Sequence, residues 1–131
     1  MAMRKLEHVG VMVKQMDASI AFYRDVIGME LLGTLPHGNG TIKLAFLAFP
    51  GATETQVELI EGYNGNLPAE GKVHHLAFTV DNLEAEIERI EKLGVTFIDP
   101  DITTLPNGAR YRFFFGPDGE WLELFEPAES R

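Results

Sequence analysis

Two short, largely apolar runs, "HVGVMV" from His8 and "HLAFTV" from His75, lie 67 residues apart and read as strands. After each, a short polar link leads into apolar residues spaced by three or four. In the first copy these are Met16, Ile20, Tyr23 and Ile27, followed by Gly28; in the second they are Leu83, Ile87, Ile90 and Leu93, followed by Gly94. That spacing puts one apolar stripe on a helix, and each glycine stands where a helix commonly ends in the left-handed conformation. Asp81 or Asn82 is placed to cap the second helix, with Glu84 completing a capping box if Asp81 is the cap. Asp17 is a cap or first-turn residue of the first.

Three further strand patterns follow each helix. In the first copy they are "MELLGTL", "TIKLAFLAF" and "TQVELIE", separated by "PHGNG" and "PGATE". In the second they are "VTFID", "ARYRFFF" and "EWLELFE", separated by "TTLPNG" and "GPDG". Gly, Pro and Asn at these joints are turn residues. The unit is βαβββ, present twice, and two copies are too few for a solenoid. The expected fold is therefore α+β: two tandem βαβββ modules, about 4–62 and 73–127, packed by pseudo-symmetry. The Gly/Asn/Pro-rich stretch at about 62–72 links them within a single domain of 131 residues.

Composition narrows the possible chemistry. There is no cysteine, so a metal must be held by His, Asp or Glu. A formal charge of −9 argues against nucleic acid and anionic membrane partners. No apolar run is long enough to span a bilayer and no secretory leader is evident, so the expected location is the cytoplasm.

The repeat also aligns the titratable groups. "VELIE" and "LELFE" close the two copies and place Glu58 and Glu123 at matching positions. Alternation puts Glu58 with Gln56 and Ile60 on one face, and Glu123 with Trp121 and Phe125. A carboxylate in a covered sheet is costly unless it is paired or binds a cation. His8 matches His75, so His74 is its neighbour. Two nitrogens and two carboxylate oxygens suit zinc, nickel, cobalt, manganese or iron(II).

From "LEHVGVMVKQMDASIAFYRDVIGMELL" through "VHHLAFTVDNLEAEIERIEKLGV" to "GPDGEWLELFEP", the chain resembles the vicinal oxygen chelate superfamily. The resemblance implies curved mixed sheets around a metal site, with a divalent metal, nickel or zinc foremost, on His8, Glu58, His75 and Glu123. Glyoxalase I (lactoylglutathione lyase) is similar in carrying a carboxylate at the Glu58 position. Methylmalonyl-CoA epimerase is similar in its double histidine, but it has glutamine at that position and a catalytic glutamate where Lys43 stands. Extradiol dioxygenases use one carboxylate fewer, and bleomycin resistance proteins bind ligand without a catalytic metal. The implied activity is isomerisation of a 2-oxoaldehyde–thiol hemithioacetal through an enediolate, as in methylglyoxal detoxification. Glu123 would be the principal base and Glu58 the second carboxylate. Met12 stands where glyoxalase I often has a basic residue for the glutathione carboxylate, which points to another thiol. Arg110 and Arg112 are candidates to receive an anionic substrate group. Trp121, with Phe46, Phe113 and Phe115, is a candidate apolar wall. The implied partners are a small-molecule substrate and a second copy, as a homodimer.

Overall fold

Each βαβββ repeat forms its own four-stranded sheet in the computed structural model, which describes residues 6–37, 40–62 and 74–128. By contacts the chain divides into two units, Met1–Leu67 and Pro68–Arg131. The first contains β1 (His8–Val13), α1 (Met16–Phe22), β2 (Glu30–His37), β3 (Ile42–Phe49) and β4 (Ala52–Glu61), with strand order β1-β4-β3-β2. The second contains β5 (Leu76–Thr79), α2 (Leu83–Glu91), β6 (Thr103–Thr104), β7 (Arg110–Phe115) and β8 (Trp121–Glu126), with order β5-β8-β7-β6. In each sheet the first strand runs parallel to the last and the other pairs are antiparallel. The last strand is thus central and carries the residues that the rest of the unit positions.

Strand alternation decides which face the helix covers. Val57 and Leu59 of β4, with Ala45 and Leu47 opposite them on β3, are buried, as are Met16, Tyr23 and Val26 of the α1 segment. In the second unit Leu122, Leu124 and Phe114 are buried, with Leu83, Ile87 and Ile90 of α2. The helices have only 7 and 9 residues. Isolated helices shorter than about 12 residues are marginal in water, so burial of these apolar faces stabilises them. Each fully buried large aliphatic side chain contributes about 1.5–3 kcal/mol.

The helix ends follow the expected pattern with one difference. Gly28 and Gly94 both have positive φ, +96° and +86°. Five residues carry the chain from Tyr23 to Gly28, but four carry it from Ile90 to Gly94. The first helix absorbs its extra residue in a π-turn, Tyr23–Ile27, where the Gly28 amide donates to the Tyr23 carbonyl at 3.1 Å. Asn82 caps α2, accepting from the Ala85 amide at 3.1 Å. The capping box from Asp81 does not form, since Asn82 holds the cap and Glu84 binds Arg110. Asp17 lies in the first turn of α1.

One expected strand is displaced. "VTFID" makes a single bridge, Phe97 to Phe114, and pairing with β7 resumes only at Thr103–Thr104, within the expected turn. The Asp99 and Pro100 carbonyls accept instead from the Arg112 guanidinium at 3.0–3.1 Å, and the Asp99 carboxylate accepts from the Phe113 amide at 3.3 Å. Side-chain bonds thus replace the ladder around Pro100, which has no amide proton to contribute. Among the described residues no helix is long and apolar enough to cross a membrane.

Candidate functional site

In the first unit His8 opens β1, and β4 lies beside it with Gly10 opposite Glu58. A Cβ on Gly10 would stand 3.2 Å from Ile60 Cδ1 and 3.7 Å from Glu58 Oε1, so the missing side chain leaves room for the carboxylate. His8 Nε2 lies 3.6 Å from Glu58 Oε1, and His8 Nδ1 lies 2.9 Å from Glu7 Oε1. An ionised carboxylate only accepts, so Nδ1 carries the proton of that bond. In the neutral ring Nε2 then presents its lone pair toward Glu58.

The second unit repeats the arrangement with tighter packing. His75 immediately precedes β5, and its Nε2 lies 3.1 Å from Oε1 of Glu123, which is 7% exposed. Burial holds the Glu123 carboxyl above its ordinary pKa, while the neighbouring His75 pulls it back down. His75 Nδ1 lies 2.8 Å from His74 Nδ1. His75 also packs edge-on to Phe113, with ring centroids 5.0 Å apart, and Phe113 is 5.6 Å from Trp121.

Each unit therefore brings one imidazole nitrogen and one carboxylate oxygen together. The His75–Glu123 pair is at hydrogen-bond distance and the His8–Glu58 pair is at 3.6 Å, and the N/O donor type of both pairs fits a borderline divalent metal. Among the described residues no group of three or more such donors gathers, so two per unit is what the geometry supplies. Phe46, opposite Glu58, and Phe113, Phe115 and Trp121, in register around Glu123, occupy the donors' faces of their sheets.

Arg110 and Arg112 do share a face, but it is the opposite one from Glu123. Their cross-strand partners are Glu126 and Leu124, whereas Glu123 pairs with Phe113. Arg110 is forked onto Glu84 at 2.6 and 2.8 Å and bonds Glu126 at 2.9 Å. Arg112 holds the carbonyls described above and stacks 4.2 Å over the Phe97 ring. Both guanidinium groups are thus engaged within their own unit, on the face of the sheet away from Glu123.

The sequence reading also missed a second pair of carboxylates. Glu61 accepts from the Met16 amide at 2.6 Å, and Glu126 accepts from the Leu83 amide at 3.1 Å. Each satisfies the first amide of its unit's helix from the last strand. Lys43 lies 3.6 Å from Glu61, in the register position that Arg110 holds against Glu126. The signal was present: each pentapeptide ends in a glutamate three residues beyond the first, and an odd separation turns it to the opposite face.

A profile of the Glyoxalase/Bleomycin resistance protein/Dioxygenase superfamily matches residues 5–124. The uncharacterised protein YwbC of Bacillus subtilis (strain 168) is 52% identical over 123 residues, covering 94% of this chain and 98% of its own. A lactoylglutathione lyase of Schizosaccharomyces pombe is 34% identical over all of this chain, which spans 50% of that protein. Among solved structures, TnmS3, an antibiotic binding protein from Streptomyces sp. CB03234, has a TM-score of 0.75 at 24% identity, covering 97% of this chain and 98% of that one. This last similarity is one of fold.

Proposed function

The chain belongs to the Glyoxalase/Bleomycin resistance protein/Dioxygenase superfamily, and on that basis we propose that it is a metal-dependent lyase of the glyoxalase I kind. It converts the hemithioacetal of a 2-oxoaldehyde and a thiol into a 2-hydroxyacyl thioester. The carrying observation is the matched His–Glu contact in both units, at 3.6 and 3.1 Å. His8, Glu58, His75 and Glu123 would be the ligands of a divalent ion of the nickel or zinc class, and the protein would be a homodimer. When bound, such an ion supplies Lewis-acid polarisation of the substrate's oxygens.

The chain's own residues account for the proton traffic. Glu123 takes the proton from the carbon that bears hydroxyl and sulfur and returns it to the adjacent former carbonyl carbon. The hydroxyl proton passes to the former ketone oxygen, so the product is an isomer and no redox partner is needed. Burial that raises the Glu123 pKa improves it as a base near neutral pH. Glu58 serves the opposite face of the substrate. Phe113 and Trp121, packed together on the Glu123 face, limit water around the reacting carbons. Met12 offers no cation to a glutathione carboxylate, so the thiol in this reading is a different one.

The test is metal content beside turnover, using methylglyoxal with a series of thiols, for the wild type, Glu123→Gln and Glu58→Gln. General base catalysis is worth about 100- to 10,000-fold, so Glu123→Gln should lose at least that while keeping metal. Near-normal turnover in a metallated Glu123→Gln protein removes Glu123 from catalysis. A wild type that takes up no metal and turns over no thiol adduct overturns the whole reading.

A further inference from the structure

The residue immediately before each candidate ligand histidine bonds that histidine's Nδ1, and the two residues differ in kind. Glu7 bonds His8 at 2.9 Å and His74 bonds His75 at 2.8 Å. A carboxylate is an acceptor only, whereas a neutral imidazole nitrogen donates or accepts according to its tautomer. We propose that Glu7 and His74 are positioning residues with different effects: Glu7 fixes His8 in the tautomer with Nε2 open, and His74 lets His75 exchange between two tautomers, each of which keeps the Nδ1 contact bonded. This inference rests on the metal reading given above, in that the open Nε2 is taken to be the ligand atom.

The two arrangements of the second half-site follow from the contacts. In one, His74 donates to His75 Nδ1, and the His75 Nε2–H donates across 3.1 Å to Glu123. In the other, His75 Nδ1–H donates to His74, and Nε2 is open to a cation. Neither leaves the Nδ1 contact without its proton, and neither changes the net charge of the histidine pair. The first half-site has no such choice while its Nδ1 bond is kept, because the Glu7 carboxylate can only accept.

Ring packing places His74 beside His75. Its ring meets Trp121 edge-on at 5.1 Å and His75 at 5.1 Å, while His75 meets Phe113 at 5.0 Å. These ring contacts orient His74 Nδ1 toward its neighbour. Ligand histidines are usually oriented by a bond at their other nitrogen, and losing it costs about 10- to 100-fold in metal affinity. A proton-neutral exchange at His75 gives the second half-site a low-cost way to release and retake a cation. The first half-site remains set for it throughout.

Imidazole nitrogen NMR at a pH where the rings are neutral, with and without zinc, reads the tautomers directly. In metal-free protein His8 should carry its proton on Nδ1 and His75 on Nε2; with zinc, His75 should move to Nδ1–H and His8 should not change. The same tautomer in both rings of the metal-free protein overturns the proposal, whether or not zinc binds. Zinc titration against a competing chelator supplies the second arm. His74→Phe keeps a ring against Trp121 without a nitrogen, and should bind zinc about 10- to 100-fold more weakly at unchanged stoichiometry. His74→Asn, whose amide also donates or accepts, should restore most of that affinity. Wild-type affinity in His74→Phe overturns the role of His74. Failure of wild-type protein to bind zinc counts against the functional reading, and the metal-free tautomers still decide this one.

Discussion

Glu126→Ala should be among the most destabilising single changes outside the apolar core. Glu126 is 3% exposed, and its carboxylate accepts from the Leu83 amide at 3.1 Å and from Arg110 at 2.9 Å. Hydrogen bonds to a charged group are worth about 1.5–3 kcal/mol each, offset in part by the relief of no longer burying a charge. The net loss should be about 3 kcal/mol, or about 10 °C in Tm for a chain of this length. Glu61→Ala provides the internal comparison, because Glu61 occupies the same place in the first unit with a looser partner. Its side chain is 23% exposed, and Lys43, 64% exposed, stands 3.6 Å away. That exposed pair adds well under about 1 kcal/mol, leaving mainly the helix cap, so the cost should be about 1–2 kcal/mol. Glu126→Gln keeps an acceptor for the Leu83 amide and should recover about half of the alanine loss. Urea denaturation with linear extrapolation measures all three. The reasoning fails if Glu126→Ala stays within about 0.5 kcal/mol of wild type or if Glu61→Ala costs more.

Ser19→Ala should raise stability by about 1 kcal/mol, because the Ser19 hydroxyl is buried with no hydrogen-bond partner among the described residues; a lower urea midpoint would contradict this. Gly28→Ala should cost about 1–2 kcal/mol in the same assay, since φ is +96° and nothing lies within 4 Å of where the added methyl would stand, so only backbone strain opposes it. Arg112→Lys should loosen the 96–101 segment, seen as faster amide exchange at Ile98 and Phe115, whose amides bond the Phe113 and Thr96 carbonyls. Unchanged exchange would show that the guanidinium contacts do not hold it. Metal-free Glu123→Gln should be more stable than wild type near neutral pH, because burial disfavours the ionised carboxylate; a loss of stability would reverse that assignment.

Repeat register matched His8 with His75 and Glu58 with Glu123, since matching positions in two copies of one unit must fall on equivalent strands; the His–Glu contact within each unit is visible only in the structure. Register could not say which face of β7 carries the arginines. Alternation groups Arg110 with Arg112, but the face is set by the hairpin that places Phe115 opposite Trp121, and that register is a property of turn geometry. The displaced strand has a comparable cause. "VTFID" has strand composition, yet the side chain that captures the Asp99 and Pro100 carbonyls is Arg112 of β7, well beyond any local window. Glu61 and Glu126 were overlooked for the opposite reason, because their parity was visible but the helix amides that they satisfy belong to distant segments.

The two glutamates of each closing pentapeptide also make strand pairing self-checking. If β4 slipped by one residue, Val57 and Leu59 would move to the open face and Glu58 would enter the core. Each exposed aliphatic would cost about 1.5–3 kcal/mol, and the Met16 amide would lose Glu61 as well. The His8–Glu58 contact therefore exists only where the helix is also correctly seated. A misregistered chain does not keep a weaker form of this contact, because it loses the contact and the helix's first hydrogen bond together.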